Sequence, residues 1–423
     1  MIIKKLSPVI AVLGLIGSAQ GADKPVILTV LSSTITEGVE GETEQGYADA
    51  FMEQNPNVTI KFIGVPANDL YAKTNALAIS GQMPDVFINS PEFMTQAADL
   101  GIVADMEEVF GADYFKGFAE GPLAQSTINS KYQFAPWFTI PVTLLYRLDL
   151  FSEAGIEPPK TWSEFRDVAK TLTVDLDDDG KTDRWGFALI GTSNGSGASR
   201  FFQVLRSHGA AELIPDGDSW TTQFGTPEAA AAFQLFSDLV TDDSIPPGPL
   251  QTGYGEAVSL IANDKAAMMI TGPHTIGSVL DQNPDMNGKL AGAVLPSVEG
   301  VDPEINLGMY GWAIAESSDN KAIAAQYIKF VLNEENQVAW NAATGRLPAR
   351  LDALDATQGS RPELAGFIAA AQFGYQPPSA RFYPDMFSVA GDNYQAVLIN
   401  QKSAADAARD AAAQTERLIS NNR

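Results

Sequence analysis

The run Asp175-Leu176-Asp177-Asp178-Asp179-Gly180-Lys181-Thr182-Asp183 sets carboxylates at loop positions one, three, five and nine, with glycine at six. That is the ligand spacing of the first half of an EF-hand calcium loop. Position twelve, which should supply a bidentate Glu, is Gly186. The helix-loop-helix pattern that should flank such a loop is also missing. A solvated acidic turn tightened by Gly180 is the favoured reading. No cofactor is therefore expected, and calcium on Asp175, Asp177, Asp179 and Asp183 stays open as the alternative.

Catalytic chemistry finds little footing. The chain has two histidines, His208 and His274, and no cysteine. Neither histidine stands in a nucleophile motif. The absence of cysteine excludes disulfides, Cys–His catalysis and thiolate metal sites. Paired carboxylates for glycoside hydrolysis cannot be read from counting among 52 acidic residues, and no local motif singles out a pair. Gly191-Thr192-Ser193-Asn194-Gly195-Ser196-Gly197 lacks both the P-loop lysine and the G-x-G-x-x-G spacing. The expectation is a protein that is not an enzyme.

The elements that must position any site alternate between strand and helix. Val26–Leu31 is apolar and β-rich, Val58, Ile60 and Phe62 alternate, and Asp85–Ile88 follows Gly81 and Pro84. Tyr47, Phe51 and Met52 lie at helical spacing between the first two strands. This βαβ order predicts an α/β fold. Thr161 with Glu164 forms a capping box ahead of Phe165, Val168 and Leu172. Thr226 followed by Pro227 opens another helix, and Gly345 is expected just beyond a helical end. Ala266–Ile270 and Ala291–Leu295 read as strands, and Ala404–Ala413 as a helix. No low-complexity linker appears, so two lobes would be joined by crossing strands.

The N-terminus carries Lys4 and Lys5, an apolar run from Val9 to Ile16, and then small residues. That is a secretory signal pattern, with cleavage expected after Gly21 and cleavage after Ala19 as the alternative. The lack of a cysteine after it excludes a lipid-anchored form. Net charge is −25, so nucleic acid and anionic membrane surfaces are not expected as partners.

Several segments, in order, resemble a known family. Gly81-Gln82-Met83-Pro84-Asp85-Val86 is similar to a G-x-x-P-D-V strand. Leu145-Tyr146-Arg147-Leu148-Asp149-Leu150-Phe151 resembles L-Y-Y-N-K-D-L-F and leads to Ala154-Gly155-Ile156 and Pro158-Pro159-Lys160-Thr161-Trp162-Ser163-Glu164-Phe165. Thr271-Gly272-Pro273, Gly311-Trp312-Ala313 and Thr344-Gly345-Arg346-Leu347-Pro348 continue the match. The resemblance is to the carbohydrate-binding extracellular solute-binding proteins of ABC importers, the maltose-binding-protein-like family. Two departures stand out: Arg147-Leu148 replaces N-K, and His274 replaces the aromatic residue of a G-P-W segment.

The resemblance implies two α/β lobes with a hinge and an interlobe cleft. It places residues 22–138 and 310–335 in the first lobe, and 139–309 and 336–423 in the second, after a signal peptide at 1–21. It implies a monomer in the periplasm that captures a mono- or oligosaccharide and delivers it to membrane permease subunits. An anionic solute in the same fold, and a secreted carbohydrate-active enzyme, are the alternatives. The implied contacts lie at strand ends and crossings. They are Ser32, Ser33 and Thr34 after the first strand, and Asn89, Ser90 and Glu92 after the third. Trp137, Thr139, Tyr310, Gly311 and Trp312 flank the crossings. Asn194 and Ser196 come from the Gly-rich stretch, and Tyr254, His274 and Arg346 complete the set. A pyranose offers an apolar face and a hydroxylated rim, which suit aromatic rings and neutral polar groups. Turn and cap chemistry uses the same Ser, Thr and Asn residues, and a surface loop is the plain alternative for the Gly-rich stretch. Arg346 is the one cation expected at a mostly neutral ligand. Trp162 is expected in the core.

Overall fold

The computed structural model describes residues 24–422 apart from 112, 218, 376, 379 and 381. The signal segment lies outside the described residues. β1 (Val26–Ser32), α1 (Gly38–Gln54), β2 (Val58–Gly64), β3 (Val86–Asn89) and α2 (Pro91–Asp99) open the chain. β1 pairs in parallel with both β2 and β3. Every residue of β3 is buried, as expected for a strand covered on both faces.

β4 (Ala135–Pro141) and β5 (Thr143–Arg147) are separated only by Val142. They belong to different sheets, so the chain changes lobe within one residue. α3 (Trp162–Thr171) begins at the foreseen capping box, with Thr161 and Glu164 exchanging side-chain and backbone bonds. Such a cap is worth about 1 kcal/mol. β6 (Trp185–Phe187), α4 (Gly195–Ser207), α5 (Pro227–Thr241), α6 (Tyr254–Ala262), β7 (Ala266–Thr271), α7 (His274–Gln282) and β8 (Leu290–Ala293) complete this stretch. The second sheet has the order β8-β5-β7-β6.

β9 (Ile305–Ile314) returns to the first sheet, antiparallel to β3 and β4. Ile305 and Leu307 pack in the second-lobe core and Met309 onward in the first. The second crossing therefore falls at Gly308. α8 (Lys321–Val331), α9 (Glu334–Thr344) and β10 (Leu347–Pro348) follow. β10 pairs with β4, which gives the first sheet the order β10-β4-β9-β3-β1-β2, with the short Gly374–Tyr375 strand on β9. α10 (Tyr383–Leu398) and α11 (Ala404–Asn421) then pack on α4 and α5.

The chain passes between the two sheets and cores three times, and the piece returning to the first sheet extends beyond 310–335. Trp340 is wholly buried in the first core and β10 lies in the first sheet. The third crossing thus comes after Pro348, and Arg346 belongs to the first-lobe side.

Candidate ligand site between the lobes

The first-lobe wall forms around the end of β1 and the start of α1. Ser32 Oγ and Thr34 Oγ1 both donate to Glu44 Oε2, at 2.9 and 2.6 Å. All three residues are buried. Burial pushes the Glu44 carboxyl up to about 7, although the two hydroxyls oppose the shift. One turn earlier, Glu40 faces Arg346, with Oε1 2.5 Å from Nη2, and Glu37 lies 3.8 Å from the same nitrogen. Burial also raises Glu40 to about 7, against the lowering field of Arg346. The Arg346 guanidinium lies 4.6 Å from the Phe138 ring centre, a cation–π distance. Tyr310 meets Phe138 edge to face at 5.8 Å.

The second-lobe wall comes from the end of β7 and the start of α7. Tyr254 packs near His274 at 5.6 Å between ring centres, and its hydroxyl lies 3.0 Å from Thr275 Oγ1. Burial, with Arg346 and Arg200 nearby, pulls the His274 imidazole down to about 4. His274 is therefore neutral at pH 7, and its buried Nδ1 has no partner. The lobes touch here. Gly345 has φ +71°, and a Cβ on it would stand 2.9 Å from His274 Cα. A Cβ on Gly272 would lie 2.4 Å from Ile140 of β4. Glycine suits Gly345 twice, by backbone conformation and by space.

α4 begins beside this wall. Asn194 Oδ1 caps it by accepting from the Ser196 and Gly197 amides. Ser196 Oγ accepts from Arg200 Nη1 at 2.8 Å. The Gly-rich stretch is thus a helix start. Sequence reasoning missed Arg200, Glu40 and Glu44. Glu40 and Glu44 lie four apart on α1, a spacing that puts them on one face, but the segment has no motif that marks it.

The other expected residues divide. Arg346, Tyr310, His274 and Tyr254 come together where the lobes meet, whereas Ser196 bonds Arg200 within the start of α4. Trp137 and Trp312 do not present ring faces to a cleft, which corrects the expectation for both. They are fully buried in the first core, 4.8 Å apart, and Trp340 lies 4.2 Å from Trp137. The cause is β9, which has a partner strand on each side and carries Trp312 inward. Trp162 is core as expected, with Nε1 donating to Ser207 Oγ at 3.1 Å. Asn89 and Ser90 are buried. Asn89 Oδ1 accepts from the Ser90 amide and Asn89 Nδ2 donates to the Gln133 carbonyl, while Ser90 Oγ lies 2.6 Å from the Tyr71 hydroxyl. Ser33 is buried with Oγ unpartnered. Thr139 is buried opposite Met309 and Leu347. Gly311 sits at a bulge where a Cβ would stand 2.2 Å from Phe134. Glu92 starts α2.

The acidic loop closes on itself. Asp175 accepts from the Asp179 and Gly180 amides, Asp177 from Asp179, and Asp183 from Leu176. Oxygens of Asp175, Asp177 and Asp183 lie within 4.8 Å of one another. These bonds are what an acidic turn makes without any ion.

The two lobes, the three crossings and the polar wall between them define a hinged receptor. The bacterial extracellular solute-binding protein family matches residues 36–338, and the chain belongs to that family. Among its relatives is a maltotriose-binding protein of Pyrococcus abyssi, 25% identical over 82% of this chain and 72% of that protein. A diacetylchitobiose binding protein of Streptomyces coelicolor is 23% identical over 93% of this chain and 90% of its own length. A maltose-bound structure from T. maritima superposes with a TM-score of 0.75 at 24% identity, covering 93% of this chain and 100% of that one. The last comparison bears on the fold.

Proposed function

We propose that the chain captures a carbohydrate between its lobes and delivers it to an ABC transporter in the inner membrane. The observation that carries this reading is the meeting of Arg346, Tyr310, His274 and Tyr254 at the lobe contact. These are aromatic and hydrogen-bonding groups on opposite walls, in a family of solute receptors. Relatives named for maltotriose and diacetylchitobiose support a saccharide over other solutes. Open α/β sheets hold ligands beyond the carboxyl ends of their strands, which is where β1 and β7 deliver these walls.

In this reading the protein is a periplasmic monomer without cofactor or catalytic step, exported by its first 21 residues and starting at Ala22. A thermal-shift screen against saccharides tests capture, because a ligand that binds only the folded state raises the melting temperature. A saturable rise with at least one saccharide, without turnover, is expected. Flat melting curves across the panel, or hydrolysis of a saccharide, would overturn the reading.

A further inference from the structure

One cation beside the second-lobe wall has no carboxylate at ion-pair distance among the described residues. Arg200 stands in the second turn of α4. Its Nε donates to the Ile270 carbonyl at 2.7 Å, and its Nη1 donates to the Ser196 carbonyl and hydroxyl at 2.7 and 2.8 Å. These bonds clamp two of its nitrogens and leave Nη2 without a protein partner among the described residues. Arg147, Arg166, Arg184, Arg206, Arg346, Arg350 and Arg361, the other described arginines that are buried or half-buried, each have a carboxylate at ion-pair distance. Arg200 has none among the described residues.

Its position ties it to the ligand walls. Ile270, which accepts from it, precedes Thr271-Gly272-Pro273 and so leads straight to His274. The fields of Arg200 and Arg346 both reach the His274 imidazole. The charge of Arg346 is answered by Glu40 and Glu37. His274 carries no charge at neutral pH. Arg200 is therefore the cation here whose charge the described residues leave uncompensated. Holding a half-buried guanidinium without a counter-charge is costly. A ligand that brings the counter-charge removes that cost when it binds.

We infer that the saccharide held by this cleft carries an anionic group, a carboxylate, sulfonate or phosphate, which seats on Arg200 beside the N-terminal turn of α4. A guanidinium edge matches two oxygens of such a group. The positive end of the helix dipole adds to the attraction. Sugar hydroxyls can accept from the same donors, but they leave the charge unanswered. The inference rests on the reading of the cleft as a saccharide site, and the test separates the two.

The experiment is titration calorimetry on the mature chain with glucose, glucuronate, glucose 6-phosphate and 6-deoxy-6-sulfoglucose. Their galactose counterparts, maltotriose, diacetylchitobiose and inorganic phosphate complete the set. At least one acidic sugar is expected to bind about tenfold or more tighter than its neutral counterpart, with affinity falling as salt rises. Arg200→Gln should abolish that preference and Arg200→Lys should retain part of it. If Arg200→Gln fails to fold, the salt dependence and the acid-to-neutral ratio of the wild type still decide. Neutral sugars binding as tightly as acidic ones, with no effect of salt, would overturn the inference and leave saccharide capture standing. Phosphate alone binding as tightly as any sugar would also overturn it. No saccharide binding the folded protein would overturn both readings.

Discussion

Arg346 Nη2 lies 2.5 Å from Glu40 Oε1, and this pair stands on the first-lobe face of the candidate ligand site. The arginine comes from the turn after α9 and the glutamate from α1, so the pair also joins two distant stretches of chain. Arg346→Ala should leave Glu40 buried without its counter-charge and remove the cation over Phe138. Loss of a buried charged contact at a binding site weakens binding by about tenfold or more. Titration calorimetry with the saccharide found by the screen checks this. Unchanged affinity would place Arg346 in a purely structural role.

Glu44 makes stability depend on pH. Burial raises its carboxyl from an ordinary value of 4.5 to about 7. A carboxyl with a higher value folded than unfolded takes up a proton on folding. Its contribution therefore favours the fold below pH 4.5 and is lost as pH rises through about 7. Glu44→Gln keeps an acceptor for Ser32 and Thr34 but cannot ionise. The variant should gain about 1–3 kcal/mol over wild type at pH 8 and little at pH 4.5. Denaturant unfolding across that range checks it. A difference that does not change with pH would contradict the assignment.

A buried ion network anchors the second lobe near the second crossing. Arg206 Nε bonds Glu212 at 2.8 Å and Nη1 bonds Glu304 at 2.6 Å, next to Ile305 of β9. Its guanidinium lies 4.3 Å from the Tyr375 ring centre, and Tyr383 Oη donates to Glu212. Glu212 is fully buried. Arg206→Met should cost about 3–5 kcal/mol, because it strands that carboxylate. Adding Glu212→Gln should recover part of the loss. Thermal unfolding of the single and double variants measures both, and equal losses in the two would deny the coupling.

Much of this architecture is readable from residue order. The apolar, β-rich run of β1, the alternation in β2, the Thr161–Glu164 box, the Thr226 cap and Gly345 at the end of α9 are local signals, and each marks the element that forms there. The site is less legible, because its parts are local only in pairs. Trp137 and Trp312 stand beside the crossings, yet which face of β9 meets solvent depends on strand partners far away in sequence. Arg200 looks like an ordinary helical arginine. Its distinction is that no carboxylate among the described residues lies at ion-pair distance, a property of the assembled fold. The third crossing comes later than expected because Trp340 fills the first core, and an aromatic residue in a helix gives no sign of which core it serves.

Capture of a saccharide is expected to close the two lobes around it. Small-angle X-ray scattering of the mature chain, alone and saturated with the saccharide that shifts its melting temperature, tests it most directly. Closure predicts a smaller radius of gyration in the saturated sample, since a ligand that bridges both walls favours the closed arrangement. Superimposable profiles at proven saturation would contradict it.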